Sequence, residues 1–443
     1  MHPQPLPQPH PQHHQHLMPI TERPAEVFVR GEGAWLWDDR GQRYLDWLQG
    51  WAVNALGHSP VELQQALQAQ AALLVTPSPA LHNAPSLQLA GRLCALSGMQ
   101  QAWFGSTGAE ANEGAIKLAR KWGAARVSAR ACTGNDAGNG ARDEAGTGSR
   151  DGAGGRASRP GAAYEIITFD NAFHGRTLAT MAASGKPGWE TMFHPHAPGF
   201  AKARWNDLDS VRALVGPQTV AVMLEPVQGE AGARPATREF LQGLRALCDE
   251  ADLLLIFDEV QTGCGRLGEL FGFQHFGVQP DILTLGKGLG GGVPISALLA
   301  RQRACVFEPG DQGGTFGGHP LMTAAALAVL EVLSQPAFLA GVRARGEQLA
   351  EGLRELSRRH GLGEVRGAGL LWALELGSDA GPALVQEARR RGLLINAARA
   401  HCLRFMPRLN STAEEIREGL ALLDATLSAV LPALRQASQV LAA

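Results

Sequence analysis

At 443 residues the chain exceeds one minimal core, so a large domain with a smaller companion is expected. Its formal net charge of -2 exerts no broad pull on nucleic acid or an anionic membrane, which leaves a small molecule as the favoured partner. Six scattered cysteines without a C-x-x-C pair argue against a disulfide framework or a zinc site and fit a reducing cytoplasm, and no stretch reaches the roughly eighteen consecutive apolar residues of a membrane span.

Residues 1–18 open the chain as a Pro/Gln/His tract without a signal peptide's basic start and apolar centre, so a disordered tail is expected, with Met18 an alternative start. Its histidines read as solvated rather than metal-binding, and no metal is expected elsewhere. Residues 19–60 are expected to begin the smaller domain. The larger one, 61–322, follows, and 323–443 complete the smaller.

Short apolar runs mark the larger domain: Ala102 to Phe104, Ile166 to Phe169, Val220 to Leu224, Leu253 to Phe257 and Ile282 to Leu285. Several are apolar at consecutive positions, as in strands covered on both faces, and longer helical stretches separate them. The expected class is α/β with a mostly parallel sheet flanked by helices, plus a smaller α+β domain. Open sheets of this kind hold ligands beyond the carboxyl ends of their strands, where the polar segments of this chain gather.

Gly105-Ser106-Thr107-Gly108-Ala109 follows the first run and opens a helix. Free N–H groups there make an anion site for a phosphate, with a simple capped helix as the bland alternative. That helix is expected to end near Trp122. Between Ser128 and Ala163 no large apolar residue occurs, so 124–163 read as a disordered insertion.

Asn171 to Thr177 follow the Ile166 run. Phe173 is suited to cover one face of an aromatic ring and Arg176 to clamp a carboxylate, although both residue types also serve ordinary packing. Two acids, Glu225 and Glu230, follow the Val220 run, one fit to hold its loop and the other to mask an arginine.

Asp258 then ends the run Leu253 to Phe257, and Lys287 lies among glycines after the Ile282 run. A buried acid and a loop lysine placed in this way suit pyridoxal phosphate: the amine forms a Schiff base with the aldehyde, and the carboxylate keeps the pyridine nitrogen protonated. Val260 can pack on the ring and Gln261 reach its hydroxyl. Gln312 to Gly318 form a second glycine-rich turn, whose Thr315 suits a further phosphate contact. Arg404, between Leu403 and Phe405, needs a partner if buried. Helices are expected over Leu321 to Leu333 and Ala413 to Leu431, the second stopped by Pro432.

In order, Val29 to Gly33, Val53 to His58, the Gly108 helix, Phe173 to Thr177, Glu225 to Glu230, Asp258 to Gly263, the Lys287 loop and Gly313 to Thr315 resemble the class III aminotransferases of fold type I, and within them those acting on acetylornithine. The likeness runs from about Val27 to the C-terminal region, broken by the insertion. It implies transfer of the terminal amino group of N2-acetylornithine to 2-oxoglutarate. Succinylornithine, succinyldiaminopimelate, ornithine and 4-aminobutyrate remain alternative donors. An aminomutase or racemase, or a silent cofactor-binding protein, is a reading from another class.

The resemblance assigns cofactor attachment and proton shuttling to Lys287 and pyridinium pairing to Asp258. Val260 and Phe173 take the two ring faces, Gln261 the ring oxygen, and Thr107, Gly108 and Ala109 the phosphate. Thr315 would reach that phosphate from a neighbouring subunit, which implies a homodimer with shared active sites. Arg176 would bind the α-carboxylate, and Glu230 and Arg404 would form a bridge that opens for glutamate. Three departures stand out: Ala109 replaces a hydroxyl residue, Gly314 stands at a substrate-contact position where serine is usual, and Trp47 and Trp51 add bulk to the substrate entrance.

Overall fold

The computed structural model describes residues 16–134 and 163–442. Its centre is a seven-stranded sheet in the spatial order Gln101–Gly105, Ser296–Ala300, Ile282–Leu285, Leu254–Asp258, Thr219–Leu224, Glu165–Phe169, Phe200–Ala203. Only Ser296–Ala300 runs against the rest, pairing antiparallel with both neighbours. The other pairings between neighbours are parallel.

The consecutive apolar runs follow from cover on both faces. Ile166, Met223, Leu254 and Ile256 pack under Ala115, Ile116, Leu118 and Ala119 of the helix Gly108–Gly134. Ile167, Val222, Leu224, Leu255 and Phe257 belong to the opposite core with Phe240, Leu241 and Leu244 of the helix Arg238–Glu250. Truncating one such leucine to alanine costs about 2–5 kcal/mol. The first helix lies close on the sheet because a Cβ at Gly123 would stand 2.2 Å from Val220 Cγ1.

Two four-stranded sheets adjoin. Phe28–Glu32, Trp35–Asp38 and Arg43–Asp46 form a meander, and Leu393–Leu394 pairs parallel with Arg43–Asp46, tying the two ends of the chain together. Val365–Ala368, Leu371–Glu375, Cys402–Phe405 and Asn396–Arg399 make the other, antiparallel throughout. Among the described residues no single helix is long and apolar enough to cross a membrane.

Two element ends differ from expectation. The helix expected to stop near Trp122 continues to Gly134, so 124–134 are helical rather than disordered, because alanine- and arginine-rich sequence favours helix without needing an apolar face. Ala163, placed in the insertion, is buried against the sheet. Residues 135–162 and 1–15 lie outside those described. Pro432 stands inside the helix Ala413–Ala442 instead of ending it. A proline removes one backbone bond and crowds one carbonyl, which a long helix anchored by Ile416, Leu423 and Leu427 in the core survives.

Candidate active site

Five segments converge past the carboxyl ends of the parallel strands, and each carries polar groups that the sheet itself does not need. Leu254–Asp258 ends on Asp258, whose carboxylate is held on both oxygens. Its Oδ1 accepts from Val260 N at 3.0 Å, and its Oδ2 accepts from Asn112 Nδ2 at 2.7 Å and meets His174 Nδ1 at 2.8 Å. Since a carboxylate only accepts, the histidine proton in that contact sits on Nδ1. Asn112 is fixed in turn: Nδ2 also donates to His174 O, and Oδ1 accepts from Thr284 Oγ1, both at 2.7 Å. Asp258, Asn112, His174 and Thr284 are all buried.

Ile282–Leu285 leads into Lys287, whose φ of 42° is left-handed. A side chain bearing a Cβ adopts that region at a cost of about 1–3 kcal/mol, which persists where a site requires it. Burial pushes the Lys287 amine below its usual 10.5; the Glu230 carboxylate opposes this, Arg404 adds to it, and Asp258 and Glu225 oppose it. The outcome is an amine that gives up its proton more readily than a surface lysine, as attack on an aldehyde requires.

Thr219–Leu224 leads into Glu225, which accepts from Phe173 N at 2.9 Å and Gly229 N at 3.2 Å and so fastens two loops together. Burial first, then the nearby Asp258 charge, push it up to about 8 against those two amide donors and Lys287. Phe173 packs at 5.7 Å on Trp189. Exposed Arg176 has its guanidinium carbon 5.9 Å from the same indole.

At the other end of that loop, Glu230 Oε1 stands 2.9 Å from Arg404 Nη1. Arg404 is fully buried, with longer contacts from Nε to Asn396 Oδ1 at 3.3 Å and from Nη1 to Gln261 Oε1 at 3.5 Å. Its Nη2 has no acceptor among the described residues. Burial raises the Glu230 carboxyl, but Arg404 and then Lys287 more than offset this, and it lies below its usual value.

Gln101–Gly105 leads into the start of the helix Gly108–Gly134. Glu110 Oε2 accepts from Ser106 N at 2.7 Å and Thr107 N at 2.8 Å, and the Thr107 hydroxyl also turns to it. Thr107, expected against the cofactor, is therefore engaged in the cap. Gly108 and Ala109 keep their first-turn N–H groups, the donors a phosphate uses. Gly108 is needed for another reason: a Cβ there would stand 2.6 Å from Val260 Cγ1, and the equivalent position on Gly286 is 3.2 Å from the same methyl. Val260 is thereby wedged between the helix start and the Lys287 loop.

The structure thus brings together Lys287, Asp258, Val260, Gln261, Phe173, Gly108, Ala109, Glu230 and Arg404, with Arg176 at the edge. Gly314 and Thr315 lie apart, lining an open groove of about 970 Å³ with Leu87, Trp103 and Phe104. Of the two tryptophans expected at the entrance, Trp47 is instead core, 1 % exposed and edge-on to Phe405. Trp51 stands at the site, its ring centroid 5.6 Å from the Arg404 guanidinium carbon. Asn112 and Trp189 received no role from sequence. The one signal for Asn112 was a small amide a single turn into a helix whose first turn was already under suspicion.

These residues fit pyridoxal phosphate: an amine with a depressed pKa, a buried carboxylate for a ring nitrogen, an aliphatic wedge and an aromatic ring for its faces, and unspent helix-start donors for its phosphate. A parallel-sheet domain with this set at its strand ends defines a pyridoxal phosphate-dependent enzyme of fold type I.

The family model described as Aminotransferase class-III matches residues 19–427. The chain is 54% identical over 417 residues to acetylornithine aminotransferase 2 of Bordetella bronchiseptica, covering 94% of this chain and 97% of that one. It is 43% identical over 409 residues to succinylornithine transaminase of Salmonella newport, covering 91% and 92%. The ornithine aminotransferase structure from Toxoplasma gondii ME49 superposes with a TM-score of 0.84 at 32% identity, covering 95% and 94%. The chain belongs to the class III aminotransferases, and pyridoxal phosphate is its cofactor.

Proposed function

We propose that the chain transfers the terminal amino group of N2-acetylornithine to 2-oxoglutarate, giving N-acetylglutamate 5-semialdehyde and glutamate. The observation that carries this reading is the ion pair between Glu230 and buried Arg404 beside Lys287. It gives one site two faces. While Glu230 covers the arginine, the pocket accepts a donor whose reacting end is a plain aminomethylene chain; when Glu230 turns aside, Arg404 offers paired N–H groups to the carboxylate of glutamate or 2-oxoglutarate.

Pyridoxal phosphate supplies an electron-poor pyridine ring that draws charge from the carbon being deprotonated. Lys287 Nζ would hold the cofactor and, once the donor has displaced it, would take the proton from the donor's terminal carbon and deliver it to the former aldehyde carbon of the cofactor. Asp258, locked by Asn112 and His174, would keep the proton on the ring nitrogen, and Val260 and Phe173 would pack on the ring. Gly108 and Ala109 would donate to the phosphate. Arg176 takes the donor's α-carboxylate, its exposed guanidinium steadied on Trp189.

Thr315 belongs to the same reading through a second copy of the chain. Leu73, Leu74, Val75, Leu81, Leu87 and Phe316 are exposed apolar side chains, and Leu87 lines the groove that holds Thr315. Covering such a surface is a large gain for a homodimer, whose copies then lend Thr315 to each other's phosphate.

The relatives named for acetylornithine and for succinylornithine support an N-acylated donor. The test is a single-turnover panel of N2-acetylornithine, N2-succinylornithine, ornithine and 4-aminobutyrate, followed by the absorbance change of the bound cofactor. N2-acetylornithine reacting with the highest kcat/KM is the expected result. Preference for a free diamine or 4-aminobutyrate overturns the reading, as does continued turnover beyond one product per site without any 2-oxo acid.

A further inference from the structure

Gln49, Gly50, Trp51 and Ala52 have φ values of 47°, 62°, 67° and 67°, a left-handed turn in which three of the four residues bear a Cβ. Such a run is unfavourable on its own and is held here by a dedicated anchor. Asp46 Oδ1 accepts from Leu48 N at 2.7 Å and Gln49 N at 3.0 Å, Gln49 Nε2 donates to Asp46 O at 2.9 Å, and His58 Nε2 meets Asp46 Oδ2 at 2.8 Å. The turn leaves a large apolar side chain 51 % exposed at the mouth of the site, where packing alone gives no return. Backbone strain kept in this way points to a use.

What the turn achieves is a double contact with Arg404. The Trp51 ring lies 5.6 Å from the guanidinium carbon, and Trp51 O accepts from Gln261 Nε2 at 3.5 Å while Gln261 Oε1 accepts from Arg404 Nη1 at 3.5 Å. The indole works on the π-face of the cation and a carboxylate works on its N–H edge, so the two do not compete. Once Glu230 turns away, the polar side-chain contacts left to Arg404 are the two long neutral ones, to Asn396 and Gln261. With Glu230 away, those two long contacts alone fix the direction of the guanidinium edge only weakly.

We propose that Trp51 is a positioning residue for the acceptor half of the reaction: it holds Arg404 in place while Glu230 is away, so that the incoming dicarboxylate meets a fixed guanidinium edge. This rests on the two-substrate reading above. It assigns to Trp51 a role that the donor does not use, because with the donor bound Glu230 itself holds the arginine.

The experiment separates the two half-reactions on the cofactor-loaded enzyme by stopped-flow absorbance. One arm mixes the aldehyde form of the cofactor with N2-acetylornithine, the other the amine form with 2-oxoglutarate. In Trp51→Leu the apparent affinity for 2-oxoglutarate falls, and this loss exceeds any loss in the donor arm by roughly fivefold to tenfold, the scale of one partly desolvated cation–π contact. Trp51→Phe, which keeps a ring face, recovers most of it. Equal losses in both arms, or no recovery by phenylalanine, overturn the proposal and leave the turn a structural feature. If the wild-type enzyme itself fails in the donor arm, the fault lies with the substrate reading and not with Trp51.

Discussion

Asn112 Nδ2 stands 2.7 Å from Asp258 Oδ2, and through Thr284 Oγ1 on Asn112 Oδ1 the carboxylate is tied to the neighbouring strand. Removing the amide takes a partner from three buried polar groups, Asp258 Oδ2, His174 O and Thr284 Oγ1, at about 1–3 kcal/mol for each left unsatisfied. Asn112→Ala is therefore expected to lower kcat/KM by roughly tenfold to a hundredfold and to weaken cofactor retention on dialysis, with the fold kept by circular dichroism. Unchanged retention and rate would show that Asp258 is held by His174 and Val260 alone.

Arg404 is the charge on which the proposed dual specificity turns. Arg404→Ala is expected to raise KM for 2-oxoglutarate on the order of a hundredfold, the value of a charge-assisted bidentate pair, with a much smaller change for N2-acetylornithine. Glu230→Ala exposes the same arginine permanently and leaves it unpaired in the pocket. Relative kcat/KM then shifts toward glutamate as donor, measured by competing the two donors in one reaction.

Gly108→Ala tests the cradle without touching charge. The new Cβ meets Val260 Cγ1 at 2.6 Å, so either the helix start or the Val260 wedge must shift, and both belong to the proposed cofactor site. Cofactor affinity is expected to fall by about tenfold or more, while thermal stability of the cofactor-free protein falls by only about 1–3 kcal/mol. Equal affinity in wild type and variant would remove the helix start from the site.

Glu259 sets a pH dependence of stability. It is fully buried, accepting from Gly272 N at 2.5 Å and Phe273 N at 2.6 Å, and burial outweighs these donors and pushes it from 4.5 up to about 8. With the folded value above the unfolded one, the folded state holds the extra proton between those limits. The contribution is fully present below about pH 4.5 and is lost as pH rises through about 8. Glu259→Gln removes this ionisation, so the fall in Tm between those pH values is expected to be shallower in the variant. Parallel curves for the two proteins would place the slope elsewhere, Glu225 having the same sign.

Sequence carried the chemistry of this site further than its mechanics. Lys287, Asp258, Glu230 and Arg404 were legible because a charged group at the end of a buried strand, or between apolar neighbours, has few other uses. Asn112 was not, since an amide in a helix reads as surface until Asp258 and Thr284 are seen on either side of it. The two tryptophans were alike in sequence and opposite in structure: Trp47 follows the strand Arg43–Asp46 into the core, whereas Trp51 is turned outward by a left-handed run that no residue preference announces. Helix ends failed for other reasons. Residues 124–134 show no large-apolar pattern beyond Val127, yet alanine and arginine propensity carries the first helix on to Gly134, and packing upstream of Pro432 carries the second through the proline.

Borohydride reduction of the cofactor-loaded enzyme, followed by digestion and mass spectrometry, reads directly whether Lys287 is the amine that carries the cofactor. A stable pyridoxyl adduct is expected on the peptide containing Lys287 and absent from Lys287→Ala, which should also lose more than about 10⁴-fold in turnover. An adduct on another lysine such as Lys186 or Lys202, or near-normal turnover in the alanine variant, would contradict that assignment.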